Sequence, residues 1–297
     1  MEGRGTFIIS LFKYLLFEMR QYFHIHLEQY NSLKSPEVMF SKLRVLTHSI
    51  DKGLYAPTRK SGRGYNKYTE SKKIIKKLSK THISSDPAFI WACEKVKEYE
   101  NTQLGETSFK GKSLKMPNFV ESHKIEQFIS GRRSVRTFKD KAIKPSILSK
   151  IVDAARWAPN SCCRQSVYFY ISTNQEKNKK CMKLTPGATC FGENIPCFIC
   201  VCGDKRFYPL IDKILLYIDG ALAVENLLLA AHSHGIEGTV LNWRSQMLTE
   251  EKALRKILKI SSYHSIIVNI ALGYPEFMPA TPKRIELKKV WTLIGDE

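Results

Sequence analysis

The stretch "SGRRSVRTFKDKAIKPSILSKIVDAARWAPNSCCRQ", residues 130–165, decides how the rest of the chain is read. Its first part sets Arg132, Arg133, Ser134 and Arg136 within five residues, where the helical spacing of "HKIEQFISGRR" gives out near Gly131 and an extended "VRTF" begins. In an extended segment alternate side chains share a side, so Arg136 falls on the side of Ser134. Guanidinium forks match phosphate oxygens in pairs and a serine hydroxyl adds a donor, which points to a phosphate-bearing cofactor. A solvated basic face is the competing reading. The middle part, "KPSILSKIVDAARWAP", predicts a helix: Pro145 suits a first turn, Ile147, Leu148, Ile151, Val152 and Ala155 form one apolar stripe, and Pro159 stops it.

Downstream of this stretch, "SVYFYIST" (166–173), "PCFICVCGD" (196–204), "GTVLNW" (238–243) and "SIIVNIALGY" (265–274) are β-branched and aromatic runs that read as strands. "IDKILLYIDGALAVENLLLAAHSHG" (211–235) is apolar around most of its circumference and ends at Gly235, which predicts a helix buried on nearly all sides. Interspersed helices and strands imply a mixed α and β domain built on one central sheet.

Upstream, the composition changes. Of a net charge of +19 over 297 residues, +10 falls within residues 1–120, and between Arg59 and Lys80 nine basic residues face one acid, Glu70. "TESKKIIKKLSK" and "DPAFIWACEKVKEYENTQ" have helical spacing, the second starting near Asp86. "GETSFKGKSLKMPNF" (105–119) reads as a connector, so the chain divides into a basic, mainly helical extension, 1–118, and a second domain, 119–297. The opening "TFIISLFKYLLF" is interrupted by Lys13 and is short for a bilayer; it reads as an amphipathic or partly buried helix, with attachment to a membrane surface as the lesser reading. Eight cysteines spread through apolar segments fit a reducing, cytoplasmic setting.

The order "RRSVRTF", apolar helix, "APNSCCRQ", strand, long apolar helix closing in "GIEGT", and finally "ALGYPEFMPATPKR" resembles the FMN-dependent nitroreductase family over residues 120–297. The resemblance implies an α+β fold, nitroreductase-like, with a central, mostly antiparallel sheet flanked by helices. It also implies a homodimer with FMN at the subunit interface and NADH or NADPH as electron donor. By position, Arg132 and Ser134 would meet the phosphate and ribityl chain, with Arg133 assisting, and Lys283 and Arg284 would complete the clamp. Arg136 would sit at the N1 and O2 edge, where negative charge gathers on reduction, a catalytic role without proton transfer. Asn160, Ser161, Cys163 and Gln165 would pass the ring, and Gly238 and Thr239 would approach it through backbone; for Gly238 an ordinary turn is an equal reading. Where family members often continue with Gln-Pro-Trp, this chain keeps Gln165 and then has Ser166 and Val167. The implied activity carries electrons to a small oxidised acceptor, a nitroaromatic, quinone or enone. The alternative is a non-catalytic basic binding protein on the same fold, holding flavin, anionic glycan or nucleic acid. "HSIDKGLYAPTRKSGRGY" (48–65) and "LNWR" (241–244) resemble members associated with polysaccharide biosynthesis, and the extension would pack on the dimer or cover the active site, with nucleic-acid binding second.

Other features ask for no site. On a strand, Cys200 and Cys202 share one face and Cys197 takes the other, so they do not converge on a metal. His232 and His234 diverge on a helix end, and Asp219 and Glu225 are expected to satisfy buried backbone or basic groups rather than to act as an acid and base pair. No metal is called for.

Overall fold

The computed structural model describes residues 30–56, 62–104, 120–191, 193–243 and 248–295, with single positions between 8 and 27. Strands β1 (Val167–Ser172), β2 (Cys197–Asp204), β3 (Glu237–Leu241) and β4 (His264–Gly273) form one sheet in the order β1-β2-β4-β3, each pairing antiparallel. The expected antiparallel sheet with flanking helices is therefore present. β2 is central and buried along its whole length, and its alternation sorts the core into two layers. Cys197, Ile199 and Val201 join the layer under helices Pro145–Arg156 and Lys213–Ser233; Phe198, Cys200 and Cys202 join the other, with Cys181 and Met182 of Gln175–Lys183 and Leu254 of Leu248–Leu258. The Cys200 and Cys202 sulfurs lie 3.7 Å apart, with Cys197 across the sheet, as strand geometry requires. Burial pushes the Cys197 thiol up to about 12, so it packs as a small hydrophobe.

In chain order the helices are α1 (Pro36–Leu54), α2 (Tyr65–Leu78), α3 (Pro87–Tyr99), α4 (Ser122–Gly131), α5 (Pro145–Arg156), α6 (Gln175–Lys183), α7 (Lys213–Ser233) and α8 (Leu248–Leu258). α5 starts at Pro145 and buries Leu148, Ile151 and Ala155 of its expected stripe. α7 differs from expectation. It lays Leu216, Ala223, Leu227 and Leu228 on the core, but Ile214, Ile218 and Leu222 are exposed, because sheet and α5 cover one side only. Its all-round apolar composition predicts burial on nearly every side, whereas one stripe is open. Among the described residues Leu210–Ser233 is also long and apolar enough to cross a membrane, yet its inner face is the core of the sheet layer.

α1, α2 and α3 of the extension bury Phe40, Leu43, Ile74, Leu78, Phe89 and Ala92 against one another. Ser35 and Asp86 cap α1 and α3 by accepting from the Val38 and Ala88 amides, with Pro36 and Pro87 in the first turns. The expected connector, 105–119, lies outside the described residues, as do 57–61 of the "HSIDKGLYAPTRKSGRGY" match, Arg244 of "LNWR" and most of the opening helix. The positions described in that helix, among them Ile8, Phe12, Leu15, Met19 and Phe23, are helical and exposed.

Candidate functional site

The strap that follows α4 carries the arginines. Val135 is buried, while Ser134 and Arg136 are exposed, so the alternation read from the sequence holds. The strap is fixed from below at three points. The buried Glu237 carboxylate accepts from the Arg133 amide at 3.3 Å, the Thr239 hydroxyl donates to the Val135 carbonyl at 2.6 Å, and Phe138 bridges Pro275. The second Glu237 oxygen meets His232 Nδ1. His232 is thus spent on Glu237, and His234 is exposed.

Alongside the strap runs the chain after β4. The Lys139 amide donates to the Tyr274 carbonyl at 2.9 Å and the Glu276 amide to the Thr137 carbonyl at 3.1 Å. The Arg133 guanidinium then donates to the Thr281 hydroxyl and to the carbonyls of Ser130 and Arg132. Arg133 therefore ties the strap to "TPKR", and the two basic segments, 148 residues apart at this bond, lie on the same side of the molecule. Among the described residues the side chains of Arg132, Arg136, Lys283 and Arg284 form no hydrogen bond or ion pair, so four cations remain open at this place.

The loop Asn160–Gln165 forms the second part. Cys162, Cys163 and Gln165 all have positive φ, at 52°, 58° and 50°, a conformation that non-glycine residues adopt only when their surroundings hold them there. The holders are specific. Buried Asp219 of α7 accepts from the Ser161 amide (2.9 Å) and hydroxyl (2.8 Å), and from the Tyr208 hydroxyl (2.5 Å). Asn160 Oδ1 accepts from the Gln165 amide at 2.9 Å. Buried Arg164 donates to the Phe207 carbonyl at 3.0 Å and pairs with Asp212 at 2.7 Å. From the extension, the buried Arg44 of α1 donates through Nε and Nη2 to the Arg164 carbonyl at 3.1 and 2.7 Å. Asp219 thus does what was expected of it, satisfying backbone. Glu225 is exposed. Burial raises Cys163 above its ordinary value, with Arg44 acting against the rise, so Cys163 is a thiol at neutral pH.

Not every expected contact is left free for a ligand. The Ser161 hydroxyl proton goes to Asp219, and Thr239 is spent on Val135. Gly238 has a packing reason of its own: a Cβ there would come within 2.8 Å of Leu272 and 3.1 Å of Leu228. Gln165 is exposed, and Asn160 and Cys163 are half-buried at the loop surface. The sequence does not single out Arg44, Arg164, Tyr208 or Glu237. Their partners lie 120, 48, 11 and 104 residues away along the chain, and no local pattern announces such bonds.

The model of the nitroreductase family matches residues 129–186 and 183–274, the span from strap to the end of β4. A protein of Archaeoglobus fulgidus provisionally named an NADH dehydrogenase/NAD(P)H nitroreductase is 34% identical over 157 residues, covering 50% of this chain and 84% of that protein. The chain belongs to the nitroreductase family. It is accordingly an oxidoreductase. The solved FMN-dependent nitroreductase of Clostridium difficile R20291 superposes with a TM-score of 0.50 at 26% identity, covering 56% of this chain and 98% of its own. A nitroreductase structure from Parabacteroides distasonis gives 0.51 at 26% identity, covering 59% and 99%. These solved nitroreductases are covered almost end to end, while more than two fifths of this chain lies outside each match.

Proposed function

We propose that this nitroreductase binds FMN between the strap and the "TPKR" segment and passes electrons from NADH or NADPH to a small oxidised acceptor of the nitroaromatic, quinone or enone class. The observation that carries the reading is the Arg133–Thr281 bond, which brings Lys283 and Arg284 to the side of Arg132 and Arg136 with their charges unspent. Four open cations fit a flavin phosphate and ring edge; FMN when bound supplies the centre that takes and gives up a hydride.

Each residue then has a distinct part. Arg132, Lys283 and Arg284 hold the phosphate dianion, with Ser134 beside them. Arg136 offers a fixed cation where negative charge accumulates, which favours the reduced state without moving a proton. Asp219 fixes Ser161, and through it the turn Asn160–Gln165, so that the ring face meets a rigid wall. Thr239 supports the strap from β3, with Gly238 packed beside it against Leu228 and Leu272. Asn160, Cys163 and Gln165 remain as loop contacts.

A homodimer belongs to the same proposal. The exposed Ile214, Ile218 and Leu222 on α7, and the wholly exposed run 281–295 with Ile285, Leu287, Val290, Trp291, Leu293 and Ile294, are apolar surface of the kind that a second copy covers. Division of the chain near residue 119 and a cytoplasmic setting complete it; the buried free thiols favour the latter. The decisive experiment is purification followed by anaerobic addition of NADH or NADPH. Yellow protein that bleaches supports the proposal, and colourless protein that takes up no added FMN overturns it. Sedimentation should give twice the chain mass; a monomer at micromolar concentration would remove the dimer.

A further inference from the structure

Between the extension and the body lies a cleft of about 400 Å³, away from the strap. Glu37, Phe40 and Arg44 of α1 and His82, Ile83, Ser85 and Asp86 ahead of α3 form one wall; Gln165, Tyr168 and Phe207 form the other. That volume is within the range of small-molecule sites. Its chemistry is graded. Phe40, Ile83 and Phe207 are buried and give an apolar base. Arg44, only 6% exposed, lies over Phe40 at 4.4 Å and Phe207 at 5.7 Å. Its Nε and Nη2 serve the Arg164 carbonyl, while Nη1 has no acceptor among the described residues. A guanidinium nitrogen with no protein acceptor, on a side chain that lines the cleft, can donate to a ligand oxygen that carries charge. Burial pulls Arg44 down from its usual value, with Asp86 and Asp204 acting against the fall. On the same wall as this cation stand two carboxylates, half-buried Glu37 and exposed Asp86. They repel a phosphate or any ligand that is wholly anionic, and they favour a positive group on the same molecule as the acid.

We infer that the cleft is a binding site for a small aromatic zwitterion of the α-amino-acid class: the carboxylate meets Arg44, the ammonium meets Glu37 and Asp86, and the ring lies among Phe40, Phe207 and Tyr168. The site is built half from the extension, so the extension acts as a ligand-binding wall and not only as a cover. The cleft is present in the chain without cofactor and contains no residue of the strap; Gln165 is the one residue it shares with the proposed flavin contacts.

The test is titration calorimetry of the full chain, at its measured flavin content, with L-phenylalanine and with its two halves, 3-phenylpropionate and phenethylamine. Saturable binding of the amino acid is expected, with each half weaker by about tenfold or more because it lacks one of the two charged groups. Ser85→Trp, at an exposed rim position, should abolish that binding with the melting temperature unchanged, and Arg44→Lys should weaken it. Absence of heat with L-phenylalanine overturns the site. Equal binding of the three probes overturns the zwitterion class, and wild-type binding by Ser85→Trp overturns the location.

Discussion

Two sets of arginines in this molecule are employed in opposite ways. Arg132 and Arg136 on the strap, with Lys283 and Arg284 beside them, are open to solvent or half-buried and have no protein partner among the described residues. Arg164 and Arg206, in the loop and at the end of β2, are committed: to Phe207 and Asp212, and to Asp204. Charge that is already neutralised within the fold holds shape; charge left over is available to bind. The strap therefore has charge to spare for the cofactor proposed above, and the loop is a braced wall, although both are written with the same residue.

The comparison is broken most forcefully at Arg164. Arg164→Met removes a cation that is buried on all sides, leaving the Phe207 carbonyl without its donor and Asp212 without its partner. Leaving these acceptors without their donor typically costs about 1–3 kcal/mol, since Asp212 is one third exposed while the Phe207 carbonyl loses its partner. Urea unfolding should show that cost as a lower midpoint with an unchanged slope. A variant as stable as the parent would mean that the loop is held by Asp219 and Asn160 alone.

The contrast also explains which parts are legible in the sequence. The strap is legible because exposure follows alternation and because four motifs stand in family order, so Arg132, Arg136 and Arg284 can be named from the chain alone. α5 is legible from a single stripe with Pro145 at its start. Arg164 is not, although it lies in the quoted stretch between Cys163 and Gln165, because its role is set by Phe207 and Asp212 on another segment. α7 misleads because composition alone does not tell a helix covered by its own chain from one with an open stripe at Ile214 and Ile218. α6, "QEKNKKCMK", gives little signal since only Cys181 and Met182 carry its apolar side. α1 is the opposite case: its Phe40, Leu43, Ile50 and Leu54 are spaced as a helix requires, a pattern overshadowed by the Lys-rich run that follows it.

On the strap the expected effects move from stability to binding. Arg132→Ala combined with Arg284→Ala should leave the unfolding midpoint within about 0.5 kcal/mol of the parent, as exposed substitutions do. The same pair should weaken FMN retention by about tenfold for each guanidinium removed from the phosphate, worth about 1.4 kcal/mol apiece. Equilibrium dialysis against FMN measures this directly. Retention unchanged in the double variant would show that the phosphate is held elsewhere and would remove the contrast between open and committed arginines.

Arg136 sharpens the comparison within the strap itself. Arg136→Met keeps the aliphatic length and deletes the charge. Its FMN retention should change less than that of the Arg132 variant, while the anaerobic reduction rate by NADH or NADPH should fall by about tenfold, because developing negative charge no longer faces a fixed cation. Equal falls in retention and rate would make Arg136 another phosphate ligand.

The smallest expected effect lies on the committed side, at the end of β2, where pH tests how rigidly the brace is held. His264 Nδ1 is 2.9 Å from the Tyr170 hydroxyl, its ring stacks on Tyr168, and Nε2 is 3.8 Å from Asp204, which Arg206 also holds. Burial lowers its pKa below the ordinary 6.5, against the pull of Asp204 and with help from Arg206, Arg255 and Lys205. The unfolded chain therefore binds the proton first as pH falls. Stability is full above about 6.5 and declines as pH drops from there through the lower folded value. Urea midpoints between pH 7.5 and 5 should show this slope, and His264→Gln should flatten it while leaving the strap's affinity for FMN at fixed pH unchanged. A slope that survives the substitution would assign the titration to another group and leave the Asp204–Arg206 pair as the sole brace at that end of the strand.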